Sequence, residues 1–225
     1  MKRVLVSLLV LSFFSLPLYA THERQAERLQ HCSEVLEDVM KIPEDSIPED
    51  LLNKAECIVI IPSMLKAAFG VGGNYGRGAL TCRVRDTWSA PVMVKMTGGS
   101  VGLQLGGEST DVILLIMNKR GVDKLLQSKF TLGGDASVAG GPKGRTAAAA
   151  TDAQMHAEIL SYARSRGLFA GISLNGSVLK ASPDDNEDLY GHKVNPKLLI
   201  KETKAPKAAM QLIEDLHKYS PRPEE

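Results

Sequence analysis

The sequence is poor in aromatic residues, in cysteine and in long apolar stretches. Its 225 residues include 5 Phe, 5 Tyr, 1 Trp and 3 Cys. So few aromatic side chains leave little surface on which bases could stack, which argues against nucleic acid as a partner. No segment reaches the roughly 20 apolar residues that a transmembrane helix needs. The sequence therefore favours a globular protein with some other kind of partner.

An excess of charge of one sign is also absent. The chain has 27 Lys+Arg against 26 Asp+Glu, which gives a formal net charge of +1. A near-neutral total excludes a uniformly polybasic protein. A hydrophobic content of 44% excludes wholesale disorder. The length suits a single domain with a substantial core, and no internal repeat is visible.

The first twenty residues have the three-part pattern of a secretory signal peptide. Lys2 and Arg3 precede an uncharged apolar run over residues 4–16, and Pro17 and Ala20 follow it. The run is shorter than a membrane span, so a permanent anchor is the weaker alternative. We therefore expect cleavage after Ala20 and a periplasmic or secreted mature protein.

The near-neutral total hides an uneven distribution of charge. Residues 21–56 carry 4 basic and 10 acidic side chains, whereas residues 57–150 carry 11 basic and 5 acidic. Residues 151–225 are nearly balanced, with 10 basic and 11 acidic. The basic middle segment also holds 16 of the 20 glycines. An acidic N-terminal part thus precedes a basic, glycine-rich part.

Export makes disulfide bonds possible, and three cysteines leave at least one unpaired. Cys57 and Cys82 each lie at the edge of a β-branched run, whereas Cys32 lies in a predicted helix. Our hypothesis is a Cys57–Cys82 disulfide with Cys32 free. Three reduced, buried cysteines are the alternative.

Apolar periodicity predicts helices first and short strands afterwards. We expect helices over 23–41, 47–55 (with Ser46 as N-cap and Glu49 completing a capping box), from Asn118 onward, 183–190 and 206–219. We expect strands over 57–62, 71–84, 90–97, 100–106, 111–118, 131–141 and 168–174, and a helix or strand over 153–166. This order predicts an α+β fold: an antiparallel β-sheet or partly closed barrel with N-terminal helices and a C-terminal amphipathic helix.

Several motifs resemble catalytic or ligand-binding sites but lack their context. Residues 98–102 match the G-x-S-x-G nucleophile elbow, yet the following pattern is that of a strand rather than a helix. A serine hydrolase using Ser100 remains the weaker alternative, and we expect no catalytic residues. The glycines of 69–78 lack phosphate-loop spacing. Asp184-x-Asn186-x-Asp188 lacks the glycine and glutamate of a calcium loop, and the five histidines show no ligand spacing, so we expect neither metal nor cofactor.

Cations of the glycine-rich segment remain as candidates for binding an anion. Lysine and arginine are the side chains that bind phosphate. Lys66 and Arg77 flank the first glycine cluster, and Lys143 and Arg145 lie in the loop 140–145. We assign these four residues as candidate contacts to lipid phosphate. An ordinary solvated face is the alternative. The full set of cations in this segment that prompted the hypothesis is Lys66, Arg77, Arg83, Arg85, Lys95, Lys143 and Arg145.

Five blocks of sequence, in this order, resemble the SYLF-domain family. The match runs from about residue 35 to Tyr190-Gly191, which is most of the mature chain. Five ordered blocks are more specific than any single motif above. They are residues 55–62 (AECIVIIP), 66–78 (KAAFGVGGNYGRG), 98–107 (GGSVGLQLGG), 111–115 (DVILL) and 167–171 (GLFAG).

The resemblance implies a non-catalytic domain that binds anionic lipid or a membrane surface. Eukaryotic members bind phosphoinositides, and some connect membranes to actin through modules such as SH3 domains. The export signal indicates a bacterial, envelope-located form, in which we do not expect actin as a partner. The counterpart of the eukaryotic membrane-contact helix, 23–41, is more acidic than basic, which disfavours its electrostatic docking on anionic lipid. A structural or adaptor protein of the envelope is the alternative function.

The resemblance also divides the chain. We expect a signal peptide over 1–20, an N-terminal helical part over 21–56, a SYLF-like core over 57–191, and a C-terminal helix and tail over 192–225.

Overall fold

The computed structural model of the chain describes residues 16–42, 44, 46–125, 130–144, 154, 156–165, 168–172 and 174–221. Its helices are α1 (Leu16–Met40), α2 (Glu49–Lys54), α3 (Lys119–Leu125), α4 (Pro183–Tyr190), α5 (Pro196–Leu199) and α6 (Met210–Tyr219), with a 3-10 turn at Lys207–Ala209. Its strands are β1 (Cys57–Val84), β2 (Thr87–Trp88), β3 (Val92–Ile116), β4 (Phe130–Thr131), β5 (Val138–Gly140), β6 (Ile159–Ser165), β7 (Leu168–Gly171) and β8 (Val178–Ala181). The α+β prediction, with helices at both ends of the fold, is confirmed.

Helix α1 packs against the sheet along the apolar stripe that its sequence predicts. Leu29, Cys32, Leu36 and Val39 recur every three or four residues, and all are buried. The helix begins at Leu16 rather than at the predicted residue 23. None of the helices in the described part of the chain is long and apolar enough to cross a bilayer.

Helix α2 is shorter than predicted, and the predicted capping box is wrong. The helix runs from Glu49 to Lys54, and no side chain caps its start. The backbone N–H groups of Leu51 and Leu52 donate to the carbonyl of Pro48 instead, at 3.0 and 3.2 Å. Ser46 is buried, and its carbonyl accepts from Gly144 N at 2.9 Å. That tertiary contact places Ser46 outside the helix.

The predicted strands between residues 57 and 118 merge into two long ones. Strands β1 and β3 form an antiparallel ribbon, with Cys57 opposite Ile116 at one end and Leu80 opposite Val92 at the other. The glycine clusters, which the sequence suggested as breaks, lie within the ladder. The pairing register shifts between Ile61 and Met64 and again between Phe69 and Val71, as at β-bulges, and the ladder continues beyond each shift.

The ribbon folds back on itself, so its two halves face each other. Gly78 and Ile60 are 18 residues apart on β1, which in a straight strand would be about 60 Å. Yet a Cβ added at Gly78 would lie only 1.9 Å from the carbonyl oxygen of Ile60. Cys57 and Cys82 form a disulfide with a Cα–Cα distance of 4.0 Å, and Cys32 is free and buried. We call the side chains between the two halves the inner face and those pointing the other way the outer face.

Shorter strands extend each half of the ribbon. Strand β6 pairs with residues 111–116 of β3, and β8 pairs with residues 94–97. Strands β5 and β7 add to β6, and β4 adds to β8. The predicted strand 131–141 is divided between β4 and β5, the element predicted over 153–166 is strand β6, and the strand predicted over 168–174 is the shorter β7. Sequence periodicity predicted neither β8 nor α5.

Two apolar clusters hold the fold together. The inner face contributes one, which includes Val59, Val94, Leu114, Phe130 and Leu179. The outer face packs its own apolar residues against helices α1 and α6 to form the other. Its members include Leu29, Leu36, Ile58, Ile60, Met93, Ile113, Tyr162, Leu212 and Leu216.

Candidate functional site

Three cations form a row across three neighbouring strands. Arg77 on β1 lies directly opposite Lys95 on β3, and Lys95 lies directly opposite Lys180 on β8. Residues paired in this way project to the same side of a sheet, with Cβ atoms about 5 Å apart. Their sequence neighbours Val94, Met96 and Leu179 belong to the inner cluster, so the three cations lie on the outer face. We call Arg77, Lys95 and Lys180 the basic row.

Arg77 is partly neutralised within the protein. Its guanidinium lies 3.0 Å from Asp185 of α4, a buried carboxylate that is also 3.6 Å from Arg28 of α1. Arg77 Nε donates to the hydroxyl of Tyr75 as well. The hydrogen bond to Tyr75, followed by the negative charge of Asp185, raises the pKa of Arg77 against the opposing effect of burial. This arrangement fixes the guanidinium where α1 and α4 meet the outer face.

Lys95 and Lys180 have no such counter-charge in the part of the chain that the structure describes. Neither side chain makes a hydrogen bond or an ion pair there, and both are half-buried. Like charges directly opposite each other on paired strands destabilise a sheet. A bound anion would relieve that repulsion, which makes this pair the best candidate for a ligand-binding feature on the outer face.

The outer face beyond the basic row is amphipathic and open. The next row consists of Tyr75, Thr97 and Val178, paired across the same three strands. The tyrosine is 42% exposed. The row after that pairs Gly73 with Gly99. A Cβ would meet nothing within 4 Å at Gly99 and only a carbonyl at 3.6 Å at Gly73, so this end of the face is uncrowded.

Three of the four predicted phosphate contacts, Lys66, Arg77 and Lys143, lie in the described part of the chain, and each has different neighbours there. Lys66 lies on β1 opposite Glu108, eleven residues before Arg77. Lys143 is exposed and precedes Gly144, whose N–H donates to Ser46, beyond the C-terminal end of α1.

Arg77, by contrast, meets α1 near Arg28, about 18 Å from that end along the helix axis. Arg28 is at the middle of α1, so Arg77 meets the centre of that helix rather than the segment after it, where Ser46 lies. Arg145 lies outside the described residues.

Sequence reasoning counted Lys95 among the cations but did not assign it a role, and it missed Lys180. The missed residue lies on β8, a strand of four residues that periodicity did not predict. The local sequence gives little indication that Lys180 binds an anion, because it is a single lysine among the apolar residues Val178, Leu179 and Ala181. Only the register between β3 and β8 places Lys180 beside Lys95.

The other side of the same strands borders an apolar cavity of about 470 Å³. Leu80, Val92 and Val94 come from the ribbon, and Leu179 and Ala181 from β8. The remaining lining residues are Leu125, Pro183, Asn195, Pro196 and Lys197. A groove of about 510 Å³ shares Asn195 with it and contains His192, Lys193, Glu202 and Lys204. An apolar cavity thus adjoins a more polar, lysine-bearing groove.

The motifs with a catalytic appearance lie within strands and a helix. Ser100 lies within β3, opposite Gly72, rather than in a turn between a strand and a helix. The glycines of 69–78 belong to β1. Asp185 and Asn186 lie in helix α4, where Asn186 bonds to Met93 and Ser182. The described residues contain no group of three His, Cys, Asp or Glu side chains that could hold a metal ion.

Comparisons with known proteins show extensive similarity. A protein containing an SH3 domain from Schizosaccharomyces pombe is 40% identical over 161 residues, which are 70% of this chain and 37% of that protein. LAS seventeen-binding protein 3 of Saccharomyces cerevisiae is 37% identical over 158 residues, 68% of this chain and 34% of that protein. The human SH3 domain-containing YSC84-like protein 1 is 33% identical over 181 residues, 79% of this chain and 53% of that protein.

This chain therefore spans between about a third and about half of the length of these relatives. The family profile described as "Ysc84: Las17-binding protein actin regulator" matches residues 97–219, more than half of the chain. That segment contains residues 97–116 of β3, all of β8 and helices α3 to α6, and so one of the three residues of the basic row, Lys180. The resemblance seen in the sequence blocks is confirmed: the chain belongs to the Ysc84 family of SYLF-domain proteins.

Proposed function

We propose that this SYLF domain binds the anionic headgroups of a membrane surface through the basic row and catalyses no reaction. One observation carries the proposal: Lys95 and Lys180 lie side by side without a counter-charge among the described residues. The strand register holds the two lysines opposite each other, with Cβ atoms about 5 Å apart. A phosphate group that lies between them would remove the repulsion and gain two charge-assisted hydrogen bonds.

The surroundings of the row suit a membrane interface. Tyr75 is exposed beside Arg77, and tyrosine is enriched where an apolar interior meets water. Asp185, which also contacts Arg28, partly neutralises Arg77 and holds it in place, so Lys95 and Lys180 are the members of the row with no ion pair among the described residues. Each lysine near an anionic surface contributes about 1 kcal/mol of attraction. Two lysines are therefore enough for weak, salt-sensitive binding of one protein molecule to an anionic membrane.

The proposed setting follows from the N-terminal sequence. Residues 1–20 have the pattern of a signal peptide, and from this pattern we infer a mature protein that is periplasmic or secreted. The partner would then be an anionic phospholipid of the envelope, and actin would not be available to it.

Vesicle co-sedimentation of the full mature chain tests the proposal. We expect binding to vesicles that contain phosphatidylglycerol, little binding to pure phosphatidylcholine, and loss of binding at high salt. The double variant Lys95→Gln/Lys180→Gln should bind the anionic vesicles about tenfold more weakly or worse. The matched control is Lys119→Gln/Lys207→Gln, which removes two exposed lysines from other elements and should bind like the parent protein.

Equal binding to neutral and anionic vesicles at low salt would contradict the proposal. So would an equal loss of binding in the two double variants, because the effect would then come from net charge and not from the row. Thermal melts of both variants establish that each is folded before binding is compared.

A second candidate, an adaptor that binds another protein, is favoured by the names of the relatives. Those names describe binding to LAS seventeen and the presence of SH3 domains. Crosslinking of the intact chain in native envelope tests this reading. A single protein crosslinked with equal yield to the parent and to Lys95→Gln/Lys180→Gln would support an adaptor role that is independent of the basic row.

A further inference from the structure

The apolar cavity lies on the opposite face of the strands that carry the basic row. Side chains alternate along β3 and β8, so Val94 and Leu179 point into the cavity while Lys95 and Lys180 point away from it. Ala181 lies opposite Val94 and also lines the cavity. Substitutions at neighbouring positions can therefore affect one site without touching the other.

The cavity wall is aliphatic wherever the sheet forms it. Leu80, Val92, Val94, Leu179 and Ala181 carry no polar side-chain atom. Leu125 of α3 and Pro183 at the start of α4 continue this wall. A polar molecule buried here would lose its hydrogen bonds to water without replacement, which excludes sugars and nucleotides as occupants. The interior suits a hydrocarbon.

The mouth of the cavity is polar and positively charged. Lys197 is exposed at the edge, and in the described part of the chain its ammonium group makes no ion pair. The adjoining groove adds Lys193 and Lys204, with Glu202 as its acidic member. Three lysines against one carboxylate leave this mouth complementary to an anion. The ligand it fits has an apolar body and a negative end.

We propose that the cavity binds one long aliphatic chain that carries an anionic headgroup, of which a long-chain fatty acid is the simplest example. The volume of about 470 Å³ sets this limit. A water molecule takes up about 30 Å³, and a methylene group is of similar size, so roughly fifteen such groups fill the space. One chain fits, whereas the two chains of an ordinary phospholipid do not. The carboxylate or phosphate would lie at Lys197, with any larger headgroup in the groove beside Lys193 and Lys204.

This inference deepens the proposed function, because it gives the domain a site for a single lipid molecule besides a membrane-binding face. It does not depend on the basic row, which lies on the outer face. The two proposals can be tested separately. Binding to a membrane surface requires Lys95 and Lys180, whereas binding of an aliphatic chain requires the space beside Ala181.

Fluorescence titration of the mature chain with cis-parinaric acid, a fluorescent long-chain fatty acid, tests the proposal. We expect saturable binding of about one molecule per chain, with competition by palmitate. Competition by a monoacyl phosphatidylglycerol as strong as that by palmitate would show that the anionic end can be a lipid phosphate. Competition by palmitate alone would show that the site is specific for the free acid. Either result supports a one-chain site.

Variants locate the site. Ala181→Leu fills the cavity and should weaken binding about tenfold or more, whereas Ala170→Leu, on exposed strand β7, should leave it unchanged. Lys197→Gln should weaken binding of the acid about two- to fivefold. It should not affect binding of methyl palmitate, which has no charge. The double variant Lys95→Gln/Lys180→Gln should bind the fatty acid normally.

Absence of saturable binding, or unchanged affinity in Ala181→Leu, would overturn the cavity proposal while leaving vesicle binding as a separate question. If Ala181→Leu does not fold, photocrosslinking of the parent protein tests whether the fatty acid occupies the cavity. A photoactivatable fatty acid should label the peptides that contain residues 178–181 or 195–197. Labelling confined to helix α1 or to the basic row would overturn the proposal.

Discussion

Lys95 and Lys180 lie directly opposite each other on adjacent antiparallel strands, and Arg77 lies opposite Lys95 on its other side. Among the described residues, only Arg77 of these three has a carboxylate partner, Asp185. The sheet therefore places two lysines of like charge opposite each other, with Cβ atoms about 5 Å apart. Such a pair costs stability in the free protein and favours the binding of an anion.

Replacing one of the lysines by an acid should separate stability from binding. Lys180→Glu converts a repulsive cross-strand pair into an attractive one and should stabilise the fold by about 0.5–1 kcal/mol. The same change should abolish binding to anionic vesicles. Urea denaturation and co-sedimentation measure the two effects, and a variant that loses stability together with binding would show that Lys180 is merely a structural residue.

Gly78 and Gly99 should differ sharply in their tolerance of a methyl group. A Cβ at Gly78 would lie 1.9 Å from the carbonyl oxygen of Ile60, and backbone cannot move away as a flexible side chain can. Gly78→Ala should therefore cost about 3 kcal/mol or more. At Gly99 no atom lies within 4 Å, so Gly99→Ala should have almost no effect. Similar unfolding midpoints for the two variants would contradict the fold-back of the ribbon at this point.

Removing the hydroxyl of Tyr162 should not harm the protein. The residue is fully buried, and its ring stacks on Phe169 with centroids 5.3 Å apart. Its hydroxyl oxygen has no hydrogen-bond partner among the residues that the structure describes. Burial raises the pKa of this hydroxyl, so it stays protonated. Tyr162→Phe should leave the free energy of unfolding unchanged or raise it by about 1 kcal/mol. A clear loss of stability would reveal a partner for the hydroxyl.

Reduction of the Cys57–Cys82 disulfide should destabilise the fold without abolishing it. The bond closes a loop of 25 residues that contains the glycine-rich bend of the ribbon. By the chain-entropy argument, a loop of this length contributes about 3 kcal/mol. A lower melting temperature in dithiothreitol, reproduced by Cys57→Ser/Cys82→Ser without reductant, is the expected result. Identical melting with and without reductant would argue against the bond.

The thiol of Cys32 should be inert in the folded protein and should make stability depend on pH. Burial raises the pKa of this thiol from 9.0 to about 12. The folded protein therefore retains a proton that the unfolded chain loses above pH 9, so this contribution to stability is complete below pH 9 and declines between pH 9 and 12. The non-reduced protein should show no reactive thiol at pH 8 and one in denaturant. Cys32→Ala should show a smaller loss of stability across that pH range.

Sequence periodicity predicted the helices well where their environment is simple. The stripe of Leu29, Leu36 and Val39 packs against the outer face, and residues 183–190 are a helix within the predicted bounds. Predictions of helix caps and strand boundaries were wrong where contacts between distant parts of the chain determine the local structure. Ser46 does not cap α2, because its carbonyl binds Gly144, almost a hundred residues later in the chain. Gly98, Gly99 and Gly107 fall between predicted strands but are paired within the ladder of β1 and β3, because that pairing comes from a segment distant in the chain.

The charge pattern pointed to the correct region of the chain but not to a site. Lys66, Arg77, Lys143 and Arg145 were chosen because they flank glycines. Of these, Arg77 lies in the basic row, whereas Lys143 precedes Gly144, whose N–H donates to Ser46 in the segment after α1. The partner that completes the row, Lys180, comes from a strand 103 residues after Arg77. Proximity to glycines in the sequence therefore identified one of the three residues of the basic row, Arg77.

The sequence by itself determined the fold class, the family and the concentration of positive charge in a glycine-rich segment. These properties depend on composition, local periodicity and ordered blocks, all of which can be read along the chain. Only the tertiary structure decided which cations meet, which of them Asp185 neutralises, and that an apolar cavity lies behind the same strands. The physical reason is register. A β-strand gains its neighbours from distant segments, and a shift of one residue would exchange the basic row for the cavity wall.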